Sequence, residues 1–168
     1  SRNFMPFMPQ MRYIRYIEIA DITNVMRNDL GKGHLNAFQK SVFEERPAEY
    51  LFDIENDIWE QKNLVQNPQY KTVLEKMRKQ LDSEILTARD VHFMPEYELG
   101  ILSETGNAYE FRLDDTTYPF EEIYAAASLS GKQGPKICQQ QISLLSNNNR
   151  FVRYWAALGL RSQDEGSL

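Results

Sequence analysis

The side chains that most often carry out catalysis are scarce and scattered in this sequence. Among 168 residues there is one cysteine, Cys138, and there are two histidines, His34 and His92. Neither histidine has a second metal ligand at helical or turn spacing, and a lone cysteine forms no intrachain disulfide and no cysteine-based metal cluster. We therefore predict surface or structural roles for both histidines, and a buried thiol within a helix for Cys138.

Two acidic clusters could at first sight bind cations. In residues 53–57 acidic side chains alternate as they do at the start of a calcium loop, but Ile58 occupies the position where that loop needs glycine. Asp114 and Asp115 form a second pair, just before a predicted helix. We interpret the first cluster as a solvated turn and the second as a capping pair.

Three arginines near the start of the chain are Arg2, Arg12 and Arg15. They could bind oxyanions such as sulfate or carboxylate, because a guanidinium group forms bidentate hydrogen bonds with such groups. The alternative, which we favour, is that they are surface charges of a strand or contacts to a further domain. The sequence has no Ser/His/Asp signature, phosphate-binding glycine loop or zinc motif, so these residues predict no catalytic centre in this chain.

The composition is typical of one folded domain or two small ones. The hydrophobic fraction of 42% and the aromatic fraction of 12% are ample for a core. A net charge of -5 argues against a nucleic-acid partner, because phosphate binding needs a basic surface. No apolar run reaches the roughly 18 residues of a transmembrane helix. The sequence therefore predicts neither a nucleic-acid-binding nor a membrane-spanning protein.

Two segments predict strands and one predicts a long helix. Residues 13–19 and 50–54 are rich in β-branched and aromatic side chains, which favour strands. Residues 68–89 carry apolar side chains at helical spacing after an Asn-Pro pair, which places a cap and a first-turn proline at the helix start. These elements predict a strand-and-helix arrangement in the first part of the chain.

Shorter helices are predicted on both sides of the long one. One covers residues 21–30 and ends at the glycines that follow. Near the end of the chain, an aromatic residue followed by a pair of alanines occurs from Phe120 and again from Phe151, as in stacked helical pairs. An ordinary helical bundle remains the alternative. The C-terminal helices are predicted at 118–129, 135–145 and 149–160.

One stretch of the sequence resembles a known family. The residues Arg-Pro-Ala-Glu-Tyr-Leu-Phe-Asp-Ile-Glu-Asn-Asp at 46–57 are similar to a stretch near the C-terminus of type I, formylglycine-dependent sulfatases. The residues around Arg2 and residues 87–96 continue the likeness, which is strongest to the heparan N-sulfatase (sulfamidase-like) branch and its bacterial relatives. Residues 154–160 resemble HEAT-like repeats that some bacterial sulfatases carry after the sulfatase fold.

The resemblance implies an α+β fold. A small antiparallel β-sheet would pack on the long amphipathic helix, and an all-α helical-repeat segment would follow. The implied division is a sulfatase C-terminal subdomain over residues 1–96, a connector over 97–117 and a HEAT-like helical segment over 118–168.

The resemblance also implies a function without catalysis. Sulfatases of this type use a formylglycine, made from Cys or Ser in a Cys/Ser-x-Pro-x-Arg motif, and calcium, and both would belong to an N-terminal catalytic domain absent from this chain. Cys138 does not match that motif, so no catalytic or metal residue can be assigned here. The chain would support a hydrolase of sulfate esters or sulfamates on glycans, and the parent enzyme would be periplasmic or secreted.

Several residues are candidates for contacts in such an enzyme. Arg2, Arg89 and His92 are candidates for positions near the substrate. Exposed apolar side chains would mark the surface that faces the catalytic domain, and the expected ones are Met5, Phe7 and Met8. The alternative function is an independent interaction module that binds a protein partner through its helical repeats.

Overall fold

The computed structural model describes residues 1–164, and α-helices joined by turns make up most of this part. Two 3-10 turns, Pro68–Tyr70 and Val91–Phe93, precede the fourth and fifth helices. Residues 165–168, the end of the predicted helical-repeat segment, lie outside the described residues. The helices are α1 Arg15–Glu18, α2 Asp21–Lys32, α3 Ala37–Ser41, α4 Lys71–Ala88, α5 Glu96–Ser103, α6 Ala108–Phe111, α7 Phe120–Ala127, α8 Pro135–Leu144 and α9 Arg150–Leu160.

The α+β prediction is wrong, because residues 1–164 contain no strand. The β-type pairing in this part of the chain is a single antiparallel bridge between Arg2 and Glu49. Around it, the Asn3 amide donates to the Ala48 carbonyl over 2.7 Å, and the Tyr50 amide donates to a carbonyl near the start of the chain. The segment predicted as the strand 50–54 thus pairs with residues 1–3 only at its start.

The other predicted strand, residues 13–19, coils into the short helix α1. Its backbone bonds locally, with the amides of Ile17 and Glu18 both donating to the Ile14 carbonyl over 3.0 Å. Neither face of the segment is wholly apolar, so pairing in a sheet would give it no continuous surface to bury. Arg12 and Arg15 are exposed on this segment.

The predicted helices near the middle of the chain are confirmed. Helix α2 ends at Gly33, which adopts the left-handed conformation with φ +72°. The side chain of Asn67 accepts a hydrogen bond from the Gln69 amide over 3.0 Å and so caps the start of the long helical segment. Helix α4 then runs to Ala88 and ends at Arg89, whose φ is +48°.

Helix α4 uses only a narrow stripe for packing. Leu74, Leu81 and Ile85 are half-buried, and Ile85 reaches the hydrophobic core. Val73 and Met77, on the flanks of that stripe, are exposed. Within residues 1–164 no helix is long and apolar enough to cross a membrane.

The three predicted C-terminal helices are confirmed as α7, α8 and α9, and α9 packs against the other two. The Asn149 side chain accepts from the Phe151 amide over 2.9 Å and caps α9. The buried indole N–H of Trp155 donates to the Phe93 carbonyl over 2.7 Å. Whether α7 and α9 are units of a repeat stays a prediction.

The core draws on both ends of the chain. Phe4 lies edge-on against Phe93 and Trp155, with ring centroids 5.0 Å and 5.9 Å apart. The boundaries at residues 96 and 118 stay a prediction, but the core joins residues from both sides of them. Its fully or largely buried members are Phe93, Met94, Tyr118, Phe120, Ile123, Tyr124, Ala126, Ala127, Phe151, Val152 and Trp155.

The predicted exposure of the apolar side chains near the start of the chain is wrong. Met5, Phe7 and Met8 are half-buried within this chain rather than exposed. Met5 packs on the core, and the Arg161 guanidinium lies over the Phe7 ring at 4.4 Å. The side chains of Met5 and Phe7 are therefore in contact with the C-terminal part of the chain.

Candidate functional site

Arg2 lies at the centre of a network of charged side chains. Its Nη1 donates to Asp82 over 2.7 Å and to the Tyr124 hydroxyl over 2.8 Å. Its Nε is 3.6 Å from a carboxylate oxygen of Glu49. Glu49 in turn accepts from the Nε and Nη2 of Arg78. Arg2 therefore joins the first residues of the chain to α4 and α7.

The electrostatics of this network favour the charged forms of both acids. The hydrogen bond from Arg78 holds the pKa of Glu49 below its usual range against the effect of partial burial, and the nearby charges add to it. For Asp82, partial burial raises the pKa, but the hydrogen bonds from Tyr124 and Arg2 outweigh it and the pKa lies below its ordinary value. Burial and the hydrogen bond to Asp82 raise the pKa of Tyr124 to about 12.

The network forms one wall of an open cleft with a volume of about 600 Å³. The cleft lies between the chain near residue 48, helix α4 and the loop that follows α7. The glycine of that loop, Gly131, has φ +81°, and a β-carbon there would approach the Ala48 side chain to 2.6 Å. We call this site the basic cleft, and its charged and hydroxyl-bearing residues are Arg2, Glu49, Arg78, Ser128, Ser130 and Lys132.

Arg89, the second predicted site residue, is tied to the turn before α7. Its Nε donates to the Arg112 carbonyl over 2.5 Å, and its Nη2 donates to Asp115 over 2.6 Å and to the Tyr118 carbonyl over 3.0 Å. These bonds hold the Arg89 guanidinium in place within the chain, so its position needs no bound ligand to explain it. Asp115 is thus an ion-pair partner, while Asp114 caps the turn by accepting from the Thr116 amide over 2.9 Å.

His92, the third predicted site residue, is 83% exposed in its side chain. Its Nδ1 lies 2.8 Å from Asp90, which also accepts from the His92 amide. The pair could transfer a proton, but the shallow depression of about 290 Å³ beside it is lined by no serine, threonine, cysteine or lysine among residues 1–164. His34, near Asp29, is also exposed, so the predicted surface placement is confirmed for both histidines.

The structure divides the three predicted residues between two places. Arg89 and His92 line the shallow depression, whereas Arg2 lines the basic cleft, and the two sites share no lining residue. Sequence reasoning missed the other charged residues of the network and of the cleft. Arg78 and Asp82 share a helix face at a spacing of four residues, which was a usable signal. Glu49 and Lys132 are distant in sequence from Arg78, and no sequence signal indicated that they lie near it.

The chain does not fit the formylglycine and calcium that the sulfatase resemblance implies for catalysis. Cys138 is 3% exposed inside α8, so its predicted burial is confirmed, and the residues after it are glutamines rather than the required motif.

In residues 53–57 the Asp57 carboxylate accepts from the backbone of Gln61 and Lys62, and these bonds lower its pKa, as in a solvated turn. Among residues 1–164 no group of three His, Cys, Asp or Glu could hold a metal ion.

Two known proteins of Formosa agariphila, each described as an ulvan-active sulfatase, are similar to parts of this chain. One is 41% identical over 69 residues, which are 40% of this chain and 12% of that protein. The other is 33% identical over 96 residues, which are 55% of this chain and 19% of that protein. No family model matches the chain, and no solved structure matches it significantly. The chain thus spans less than a fifth of either relative, and it contains a region related to sulfatases.

Proposed function

We propose that this chain is an accessory part of a sulfatase-type hydrolase and packs against the catalytic part without carrying out chemistry. The relationship to sulfatases supports the enzyme class, and the two relatives suggest a sulfated polysaccharide as the substrate of the parent enzyme. The parent would hydrolyse sulfate esters or sulfamates. Membership of the heparan N-sulfatase-like branch and the HEAT-like nature of the C-terminal helices belong to this proposal as well.

The observation that carries the proposal is a group of exposed apolar side chains in and around α1 and in the first turns of α2. We call it the α1–α2 face. A soluble protein rarely leaves so many large apolar side chains together in water, and such surfaces usually contact another protein surface. The side chains are between 53% and 83% exposed, and they are Tyr13, Tyr16, Ile19, Ile22 and Val25.

The α1–α2 face is held in place by polar contacts. The guanidinium of Arg27 lies 3.9 Å from the centre of the Tyr13 ring, and its Nη2 donates to Glu18 over 2.5 Å. These contacts connect α2 to α1 and fix the orientation of an otherwise exposed tyrosine. A face ordered in advance loses less entropy on binding than a flexible one, which supports a role in docking.

The test titrates this chain against the separately produced catalytic part of its parent sulfatase and measures the dissociation constant. We expect association in the micromolar range or tighter. Ile22→Ala should weaken it by roughly tenfold or more, because burying an isoleucine side chain contributes about 1.5–3 kcal/mol. The matched control is Ile58→Ala, which removes an equally large exposed side chain outside the α1–α2 face and should leave the constant unchanged.

Three results would contradict the proposal. The first is no association at about 10 µM, and the second is an equal loss of affinity for the two isoleucine variants. The third is turnover of an aryl sulfate by this chain alone. Binding of a different protein that depends on α9 and not on α1 and α2 would instead favour the interaction module as the function.

A further inference from the structure

The basic cleft has a charge opposite to that of the protein as a whole. The chain carries a net charge of -5, yet three cationic side chains, Arg2, Arg78 and Lys132, line this cleft together with one acid, Glu49. Asp82 pairs with Arg2, so three positive and two negative charges meet here and the group keeps a net positive charge. A concave site with an excess of positive charge attracts anions, because its walls concentrate the field.

Each of the three cations has donor capacity to spare. No hydrogen bond within residues 1–164 uses the Nη2 of Arg2, the Nη1 of Arg78 or the Nζ of Lys132. The other guanidinium nitrogens are occupied by Asp82 and Glu49, which hold the two arginines in position. The ion pairs thus orient the arginines and leave part of each guanidinium available to an incoming oxyanion.

The remaining lining suits a sugar. Ser128 and Ser130 also line the cleft. The Ser130 hydroxyl donates to the Phe4 carbonyl over 2.6 Å, so its oxygen can still accept a hydrogen bond. Val65 and Pro47 add apolar surface. A volume of about 600 Å³ lies within the usual range for small-molecule sites, and a mixture of apolar walls with a few polar groups is typical of them.

We infer that the basic cleft is a binding subsite for the anionic groups of a sulfated glycan, with Lys132 and the free edges of Arg2 and Arg78 contacting the sulfate oxygens. The inference deepens the proposed function, on which its choice of ligand rests. The cleft would hold a part of the polysaccharide away from the bond that is hydrolysed.

The experiment titrates the complete 168-residue chain with a heparin-derived sulfated tetrasaccharide, its chemically desulfated counterpart and inorganic sulfate. The key variant is Lys132→Glu, at an exposed position, and circular dichroism of the variant tests whether the fold is retained. The control is Lys136→Glu, which makes the same change of net charge at an exposed lysine outside the cleft. A difference between the two therefore reports a local contact and not the overall charge.

We expect the sulfated tetrasaccharide to bind with a salt-dependent affinity that Lys132→Glu lowers by roughly tenfold or more, whereas Lys136→Glu changes it by less than about twofold. Equal effects of the two variants would overturn the inference, and so would no binding at millimolar concentration. Equal affinity for the desulfated sugar or for inorganic sulfate would also overturn it, because the sulfated glycan would then not be recognised as such.

This experiment is separate from the test of the proposed function. It uses no catalytic part, so a loss of docking by Ile22→Ala leaves its outcome unaffected. If the chain docks but binds no glycan, the accessory role stands and the subsite fails. If the chain binds the glycan but does not dock, the subsite stands and the accessory role fails.

Discussion

Replacing Phe93 by alanine should destabilise the whole chain and not only its C-terminal helices. Phe93 is 6% exposed and sits between residues from both ends of the sequence. Its ring centroid lies 5.0 Å from that of Phe4, 5.6 Å from that of Phe120, 5.3 Å from that of Tyr124 and 5.7 Å from that of Trp155. The substitution keeps the Phe93 carbonyl, which still accepts the bond from the Trp155 indole.

The expected loss in the free energy of unfolding is about 4–5 kcal/mol. Truncating a buried phenylalanine to alanine costs about 3–5 kcal/mol, since both the transfer of the ring and the cavity left behind contribute. Loss of four favourable ring–ring contacts places Phe93→Ala in the upper part of that range. A domain with a total stability of about 5–15 kcal/mol would lose a large share of it.

The assay is urea unfolding followed by tryptophan fluorescence and by far-ultraviolet circular dichroism. Trp59 is 74% exposed and Trp155 is buried, so a Trp59→Phe background leaves one fluorophore, and it reports on the core. We expect both signals to shift together to a lower urea midpoint, because one core joins residues from both sides of position 96. The control is Tyr97→Ala, at a side chain that is 78% exposed, with an expected change within about 0.5 kcal/mol.

Two outcomes would refute this reasoning. A destabilisation below about 1 kcal/mol would mean that Phe93 is not packed as described. Two separate transitions, with only the fluorescence signal shifted by the substitution, would mean that the first part of the chain folds independently of the helices after residue 118.

Two further predictions concern backbone and charge. Gly131→Ala should lower the free energy of unfolding by about 1–3 kcal/mol in urea titrations, because φ is +81° and the new methyl group would meet Ala48 at 2.6 Å. Gly31→Ala, with open space around it, should not lower it, and equal losses would contradict the stated contact. The pKa values of Glu49 and Asp82 are lowered in the fold, so the stability they contribute is complete above their ordinary values of 4.5 and 3.8 and is lost as the pH falls below these. Urea titrations between about pH 6 and about pH 3 should show this fall in the free energy of unfolding, and a Glu49→Gln variant should show a smaller fall. An equal pH dependence of the two proteins would argue against the ion pairs.

Much of the helical structure could be predicted because its signals are local. An asparagine before a proline caps and starts the segment that becomes α4, and the left-handed glycine Gly33 ends α2. The hydrogen bonds involved link residues only a few positions apart. The burial of Cys138 was predicted from its neighbouring residues, which favour a helix over a reactive loop.

The predicted strands were wrong because a strand depends on a partner that local sequence does not supply. Residues 13–19 have side chains typical of a strand, yet their amides donate hydrogen bonds to nearby carbonyls in and next to α1. The extended chain around Glu49 pairs with the first residues only at one bridge. Side-chain preference is a weak guide where no neighbouring strand is available to complete the hydrogen bonds.

The sequence by itself determined the positions of the main helices and the likeness to sulfatases. Only the tertiary structure decided where Arg2, Arg89 and His92 lie and what they contact. It placed Arg2 among acids from α4 and the chain near residue 49, tied Arg89 to a turn and left His92 on the surface. Ion pairs and clefts join residues far apart in sequence, and their geometry depends on the path of the whole chain. For the same reason the basic cleft, whose cations Arg2 and Lys132 come from opposite ends of the chain, could be recognised only after folding had brought them together.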